Sequence, residues 1–198
     1  MAKDKSSGQL VEAASNGDCS LVQTLLQQGV DVNAARKDGF TPLMAASTSG
    51  HTDIVKDLLS SGAKTELRDN RGMRALMMAA GMDRPETVKA LIAGGADVSA
   101  RNESGHEPFG GYTPIMHAAR NKNAEAVTAL IEAGADLEAK DNNGETALMK
   151  ATFWGNIDAV RTLLGAGADR KAQDNDQRTA RTIAEEIGQI KIAELLNE

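Results

Sequence analysis

Residues 113–139 read TPIMHAARNKNAEAVTALIEAGADLEA, and close copies of this string lie on both sides of it. Thr113 before Pro114 sets an N-cap hydroxyl ahead of a residue whose fixed dihedral suits the first helical turn, so a helix starts there. The small pair Ala118/Ala119 lets that short helix lie close against a neighbour. A second helix follows in each copy, with one apolar stripe such as Ile54/Val55/Leu58/Leu59 or Ala159/Val160/Leu163/Leu164. Gly29, Gly62, Gly95, Gly134 and Gly167 are placed to end those second helices in the left-handed conformation.

Working outward with a period of 33, six copies cover about residues 8–37, 38–68, 69–101, 102–140, 141–173 and 174–198. Thr41-Pro42 repeats the helix start, and Ala46/Ser47, Ala79/Ala80 and Ala151/Thr152 repeat the small pair. One period is broken. Turn glycines step by 33 from Gly72 to Gly105 and again by 33 from Gly111 to Gly144, so the six residues His106–Gly111, HEPFGG, read as an insertion. Deleting them restores SGYTP, so the extra length falls in a turn and leaves the helices in register. Loop-closure entropy costs only about 0.6 kcal/mol per doubling of length, which a stacked core tolerates. Phe109 is carried in this stretch between Pro108 and Gly110-Gly111, which predicts a finger that contributes to partner selectivity.

Each complete copy resembles the ankyrin repeat: a turn such as DNNG, a TPL-type helix start, a mid-repeat glycine, a paired-aliphatic helix and a GAD-type exit, over about residues 8–197. The resemblance implies an all-α solenoid of stacked helix-turn-helix units with protruding β-hairpin-like turns, about six repeats counting two caps. It predicts a single domain over 8–198 behind a flexible stretch 1–7. The first copy lacks the turn, and the sixth has Gln177 where the turn glycine stands and no GAD exit. Glu12, Ser15, Arg178, Arg181, Glu185 and Glu186 are therefore read as cap surface. Where the family places His after TPL, this chain has Met44, Met77, Met116 and Met149, which are expected to pack between layers. The third copy departs further, with Arg74-Ala75 for Thr-Pro and Asp83-Arg84-Pro85 for the Gly-His step, and is expected to be the less stable layer.

Composition agrees. Apolar residues make up 41% and aromatics only 3%, so the interior must be built from Leu, Ile, Val, Ala and Met. A net charge of −6 without a basic stripe argues against nucleic-acid binding. No run approaches the roughly 18 uncharged apolar residues of a membrane span, and MAKDKSSGQL carries no apolar leader segment. Cys19 has no internal disulfide partner. A cytoplasmic monomer is expected.

Little chemistry is spelled out. His51, His106 and His117 lack metal-site spacing, and His51 fits a structural role in helix capping and packing. Cys19 has no histidine in its own copy to activate it. Asn102-Glu103-Ser104 spells a glycosylation acceptor that matters only in a secreted chain. No catalytic residue, metal or cofactor is predicted.

All five aromatics fall outside the repeating apolar framework, which places none of them in the core: Phe40 and Tyr112 follow turn glycines, Phe109 lies in the insertion, and Phe153 and Trp154 precede a mid-repeat glycine. In ankyrin proteins such positions line the concave groove. The expected partner-binding residues are Phe40, Met73, Met78, Met82, Phe109, Tyr112, His117, Lys150, Phe153 and Trp154. The function read from this is a non-catalytic adaptor or regulator binding a protein partner through groove and fingers. The competing readings are a self-associating scaffold and an enzyme using Cys19 or the histidines.

Overall fold

The computed structural model describes residues 2–102, 110–121 and 124–197. The chain divides into two compact units, Met1–Asp97 and Val98–Glu198. The first holds α1 (Ala2–Asn16), α2 (Cys19–Gln27), α3 (Pro42–Ser49), α4 (Thr52–Ser60), α5 (Ala75–Gly81) and α6 (Pro85–Ala93). The second holds α7 (Pro114–Ala119), α8 (Glu125–Glu132), α9 (Ala147–Phe153), α10 (Ile157–Gly165), α11 (Ala180–Glu186) and α12 (Ile190–Leu195). The described residues contain no strand. α1 begins at Ala2, within the stretch expected to be flexible.

Within each unit the helices come in pairs and the pairs stack. α1 packs on α3 and α3 on α5, with α2 on α4 and α4 on α6 behind them. The second unit repeats this with α7, α9 and α11 in one layer and α8, α10 and α12 in the other. The small pairs Ala46/Ser47, Ala79/Ala80, Ala118/Ala119 and Ala151/Thr152 are wholly buried where first helices meet. Ile54, Val55 and Leu58, like Ala159, Val160 and Leu163, bury the stripe of their second helix. Each such Leu or Ile contributes roughly 1.5–3 kcal/mol. No pair could bury both its helices alone, so stacking creates the core.

The four methionines are buried between layers as expected. Met44 does more: the Thr41 hydroxyl accepts from the Met44 backbone N–H at 3.2 Å, while the Met44 thioether accepts from the Thr41 backbone N–H at 3.5 Å. This is a capping box with sulfur in place of a carboxylate. Thr146 caps α9 in the ordinary way, whereas the buried Thr113 hydroxyl has no hydrogen-bond partner.

Between a second helix and the next first helix the chain makes a finger closed by backbone bonds. Asp69 N–H donates to Met73 O and Gly72 N–H to Asp69 O, and Asp141 pairs with Glu145 in the same way. In the fourth repeat the equivalent bonds join Asn102 N–H to Tyr112 O and Gly111 N–H to Asn102 O. Gly111 has the left-handed φ of 80° that the turn requires. The intact chain therefore closes its turn with Gly110-Gly111, and the six additional residues precede Gly110 instead of spanning His106–Gly111. Sequence spacing could not separate two glycines that serve equally well.

The mid-repeat step is built differently from expectation. His51 sits at the N-cap of α4 but makes no capping bond with its side chain. Its Nε2 instead meets the Ser15 carbonyl at 3.1 Å, one repeat back. Asn156 does the same to Ala119, and Arg84 reaches toward Thr48. The room for these side chains comes from the preceding glycine: a Cβ on Gly17 would lie 2.7 Å from the His51 ring, and one on Gly50 2.7 Å from Arg84. In the third repeat Asp83 takes this glycine's left-handed conformation, with φ of 53°. Pro85 occupies the first turn of α6, and the buried Arg74 caps no amide of α5 but pairs with Glu66 at 2.9 Å.

The last repeat is polar where its neighbours are not. Arg181 and Glu185 stand at the positions of Leu148 and Thr152, are exposed, and pair with each other at 2.8 Å.

Candidate protein-binding face

In the second unit, α9 ends in Phe153 and Trp154, which are 51% and 46% exposed and pack edge to face with ring centroids 5.6 Å apart. The Arg120 guanidinium, at the end of α7, lies 4.9 Å from the Trp154 ring centroid. One period beyond Trp154 comes Ile187, itself exposed. Large apolar side chains held in fixed positions at the ends of successive first helices form a surface that loses little conformational entropy on binding. Arg120 and Ile187 were missed by sequence reading. Their spacing would have found them, since they share the repeat positions of Phe153 and Trp154.

The remaining expected residues divide by burial. Met82 is 51% exposed at the end of α5, while Met73 and Phe40 are half-buried, with the Arg36 guanidinium 5.8 Å from the Phe40 ring. Phe109 lies outside the described residues. Tyr112, Met78, His117 and Lys150 are buried, which corrects the expectation that they are open to a partner and that no aromatic enters the core. Tyr112 lies between Lys150 and His117, and the Met78 thioether accepts from the Thr48 hydroxyl at 3.4 Å.

That buried group is ionic. Lys150, 4% exposed on α9, contacts Asp141 at 2.6 Å and Glu145, and its ammonium sits 4.5 Å from the Tyr112 ring centroid. Burial depresses its pKa, but hydrogen bonds to Asp141, Glu145 and Tyr112 outweigh that and hold it above the ordinary lysine value. The His117 ring lies tilted by 53° to that of Tyr112 with centroids 5.3 Å apart, and its buried Nε2 has no hydrogen-bond partner. Burial, then the nearby Arg120 charge, lowers its pKa to about 3. Asn102, the start of the glycosylation triplet, is buried, and its side-chain oxygen accepts from Tyr112 N–H at 2.6 Å. Its side chain is a structural part of the finger.

Among the described residues no three of His, Cys, Asp and Glu come together as metal ligands, and no helix is long and apolar enough to cross a membrane.

Residues 10–102 and 101–174 match the family model described as ankyrin repeats (3 copies). The chain belongs to the ankyrin-repeat family. Among curated proteins none matches the chain. Two solved structures are similar to it. A chain from the structure of the predatory endopeptidase Bd0816 from Bdellovibrio bacteriovorus in complex with immunity protein Bd3460 is 35% identical, with a TM-score of 0.82 over 95% of this chain and 96% of that one. The human ASB11 ankyrin repeat domain is 25% identical, with a TM-score of 0.84 over 95% of this chain and 81% of that one. The ankyrin repeat is a protein-interaction module, and the face ending in Phe153 and Trp154 belongs to a chain of that kind.

Proposed function

We propose that this ankyrin-repeat chain is a non-catalytic regulator that binds a protein partner, with Phe153, Trp154, Arg120 and Ile187 as its main contact group. The observation that carries the reading is the edge-to-face aromatic pair, half exposed and braced by a guanidinium. A surface Trp and Phe in that state expose apolar area that water solvates poorly, and aromatic and Arg side chains dominate the energetics of protein interfaces. The partner is a peptidase that the chain neutralises, acting as a monomer in the cytoplasm. What supports this is the 35% identical neighbour, which belongs to a complex between an endopeptidase and an immunity protein.

The test is affinity capture from the native cell with the wild-type chain and with Phe153→Ala/Trp154→Ala, followed by a peptidase assay on the captured protein. Wild-type chain is expected to capture a peptidase and inhibit it; the double variant is expected to lose at least tenfold in affinity while melting within a degree or two of wild type. Capture that survives the double substitution overturns the contact group. A captured partner without peptidase activity overturns the partner class.

A further inference from the structure

We propose that His117 makes partner binding acid-labile: a proton taken up by its imidazole undoes the anchoring of the fourth finger on α7 and of Arg120 on Trp154, and so releases the partner. The proposal rests on Phe153 and Trp154 being the contact group. Its geometric basis is a ring with nowhere to put a second N–H. The His117 Nε2 is buried with no hydrogen-bond partner, so the protonated ring would carry a buried donor and a buried charge together.

Among the described residues, the groups around the ring offer no compensation. From its own helix comes Arg120, a cation one turn further on, and from the finger comes the Tyr112 ring at 5.3 Å. From α9 comes the Lys150 ammonium on Tyr112. The carboxylates of Asp141 and Glu145, which meet that ammonium, are engaged by it. Acceptance of a proton from solvent at Nε2 is therefore possible only when the ring leaves this site. In the folded state the ring stays neutral down to about pH 3, while the released ring has the ordinary value of 6.5.

The sign follows from that difference. Above pH 6.5 both states are neutral and opening is pH-independent. Between 6.5 and about 3 the open state binds the proton and the closed state does not, so the open fraction rises about tenfold for each pH unit of acidification. What opens is local: the bonds of Asn102 to Tyr112, Gly111 to Asn102, and His117 to Thr113 at the foot of the finger. Arg120 follows on the same short helix and carries the Trp154 contact with it.

The experiment is amide hydrogen exchange at Tyr112, His117 and Arg120 of the full chain from pH 7 to 4.5, corrected for intrinsic rates, in wild type and His117→Met. Methionine is the residue that the third repeat carries at this position, as Met78. The wild-type opening constant is expected to rise about 50-fold between pH 6.5 and 4.5, and the variant's to stay level. An equal rise in the variant, or a flat wild-type profile, overturns the proposal. If the variant does not fold, the wild-type His117 ring resonance decides: a folded-state midpoint near 6.5 overturns the proposal, and one below 4.5 supports it. A second arm measures dissociation of the captured partner over the same range; release that is equally fast at pH 7 and 5 overturns the regulatory role. Failure of the Phe153/Trp154 contact instead shows as capture by the double-alanine variant at pH 7, with the exchange result untouched.

Discussion

The side-chain amide of Asn156 donates across 2.9 Å to the carbonyl oxygen of Ala119, in a setting where Asn156 is nearly inaccessible to water. One bond thus ties the start of α10 to the end of α7, a repeat away. Asn156→Ala removes it and leaves the carbonyl buried without that donor. A loss of about 1–3 kcal/mol is expected in urea denaturation.

Lys150 joins two fingers to α9 through Asp141, Glu145 and the Tyr112 ring. Removing one partner of a buried ion pair costs more than removing all of it, because an uncompensated charge remains. Lys150→Met is expected to lose about 3–5 kcal/mol at pH 7, and the triple variant Lys150→Met/Asp141→Asn/Glu145→Gln to recover most of that loss. Equal stabilities of the single and triple variants would count against an ionic lock.

Gln177 holds a left-handed φ of 62° at the finger position that Gly144 fills one repeat earlier. A non-glycine residue there costs about 1–3 kcal/mol, partly offset by glycine's greater freedom when unfolded. Gln177→Gly is expected to stabilise the chain by about 1 kcal/mol, read as a rise in melting temperature.

The third repeat has no side-chain cap at the start of α5 and a left-handed Asp83 after it, while α3 has the Thr41–Met44 box and Gly50. Amides of α5 are expected to exchange faster than those of α3 under native conditions. Slower exchange in α5 would show that the pairing of the buried Arg74 with the exposed Glu66 outweighs both losses.

Deleting Ser104–Phe109 leaves Asn102-Glu103-Gly110-Gly111-Tyr112, the length of the fifth finger. We expect the chain to keep its melting temperature within a few degrees, since the turn bonds at Gly111 and Tyr112 are retained. Partner affinity is expected to change at least tenfold in a binding titration. Unchanged affinity would make the extra length idle.

The repeats were legible because several constraints recur together: Pro at a helix start, paired small residues, paired aliphatics and a glycine that must be left-handed. Burial of individual side chains was legible only where the repeat dictates it. Tyr112 and Lys150 sit at positions that other repeats fill with Met73 and His117, so nothing in the spacing announced that they would bury each other. Their burial depends on charges at Asp141 and Glu145, brought in by the next finger. The exposure of Phe153 and Trp154 was readable because both lie outside the repeating apolar positions, at the end of a first helix. His51 was assigned the right structural role by the wrong bond, because sequence shows the residue beside a helix start but not the carbonyl one repeat behind it.

Trp154 is the chain's single tryptophan, and it stands half exposed under Arg120 on the proposed contact surface. The molecule thereby carries its own optical reporter. Docking that dries the indole or lifts the guanidinium away would shift and rescale its emission, so the equilibrium and its rates can be followed in solution without attaching a label.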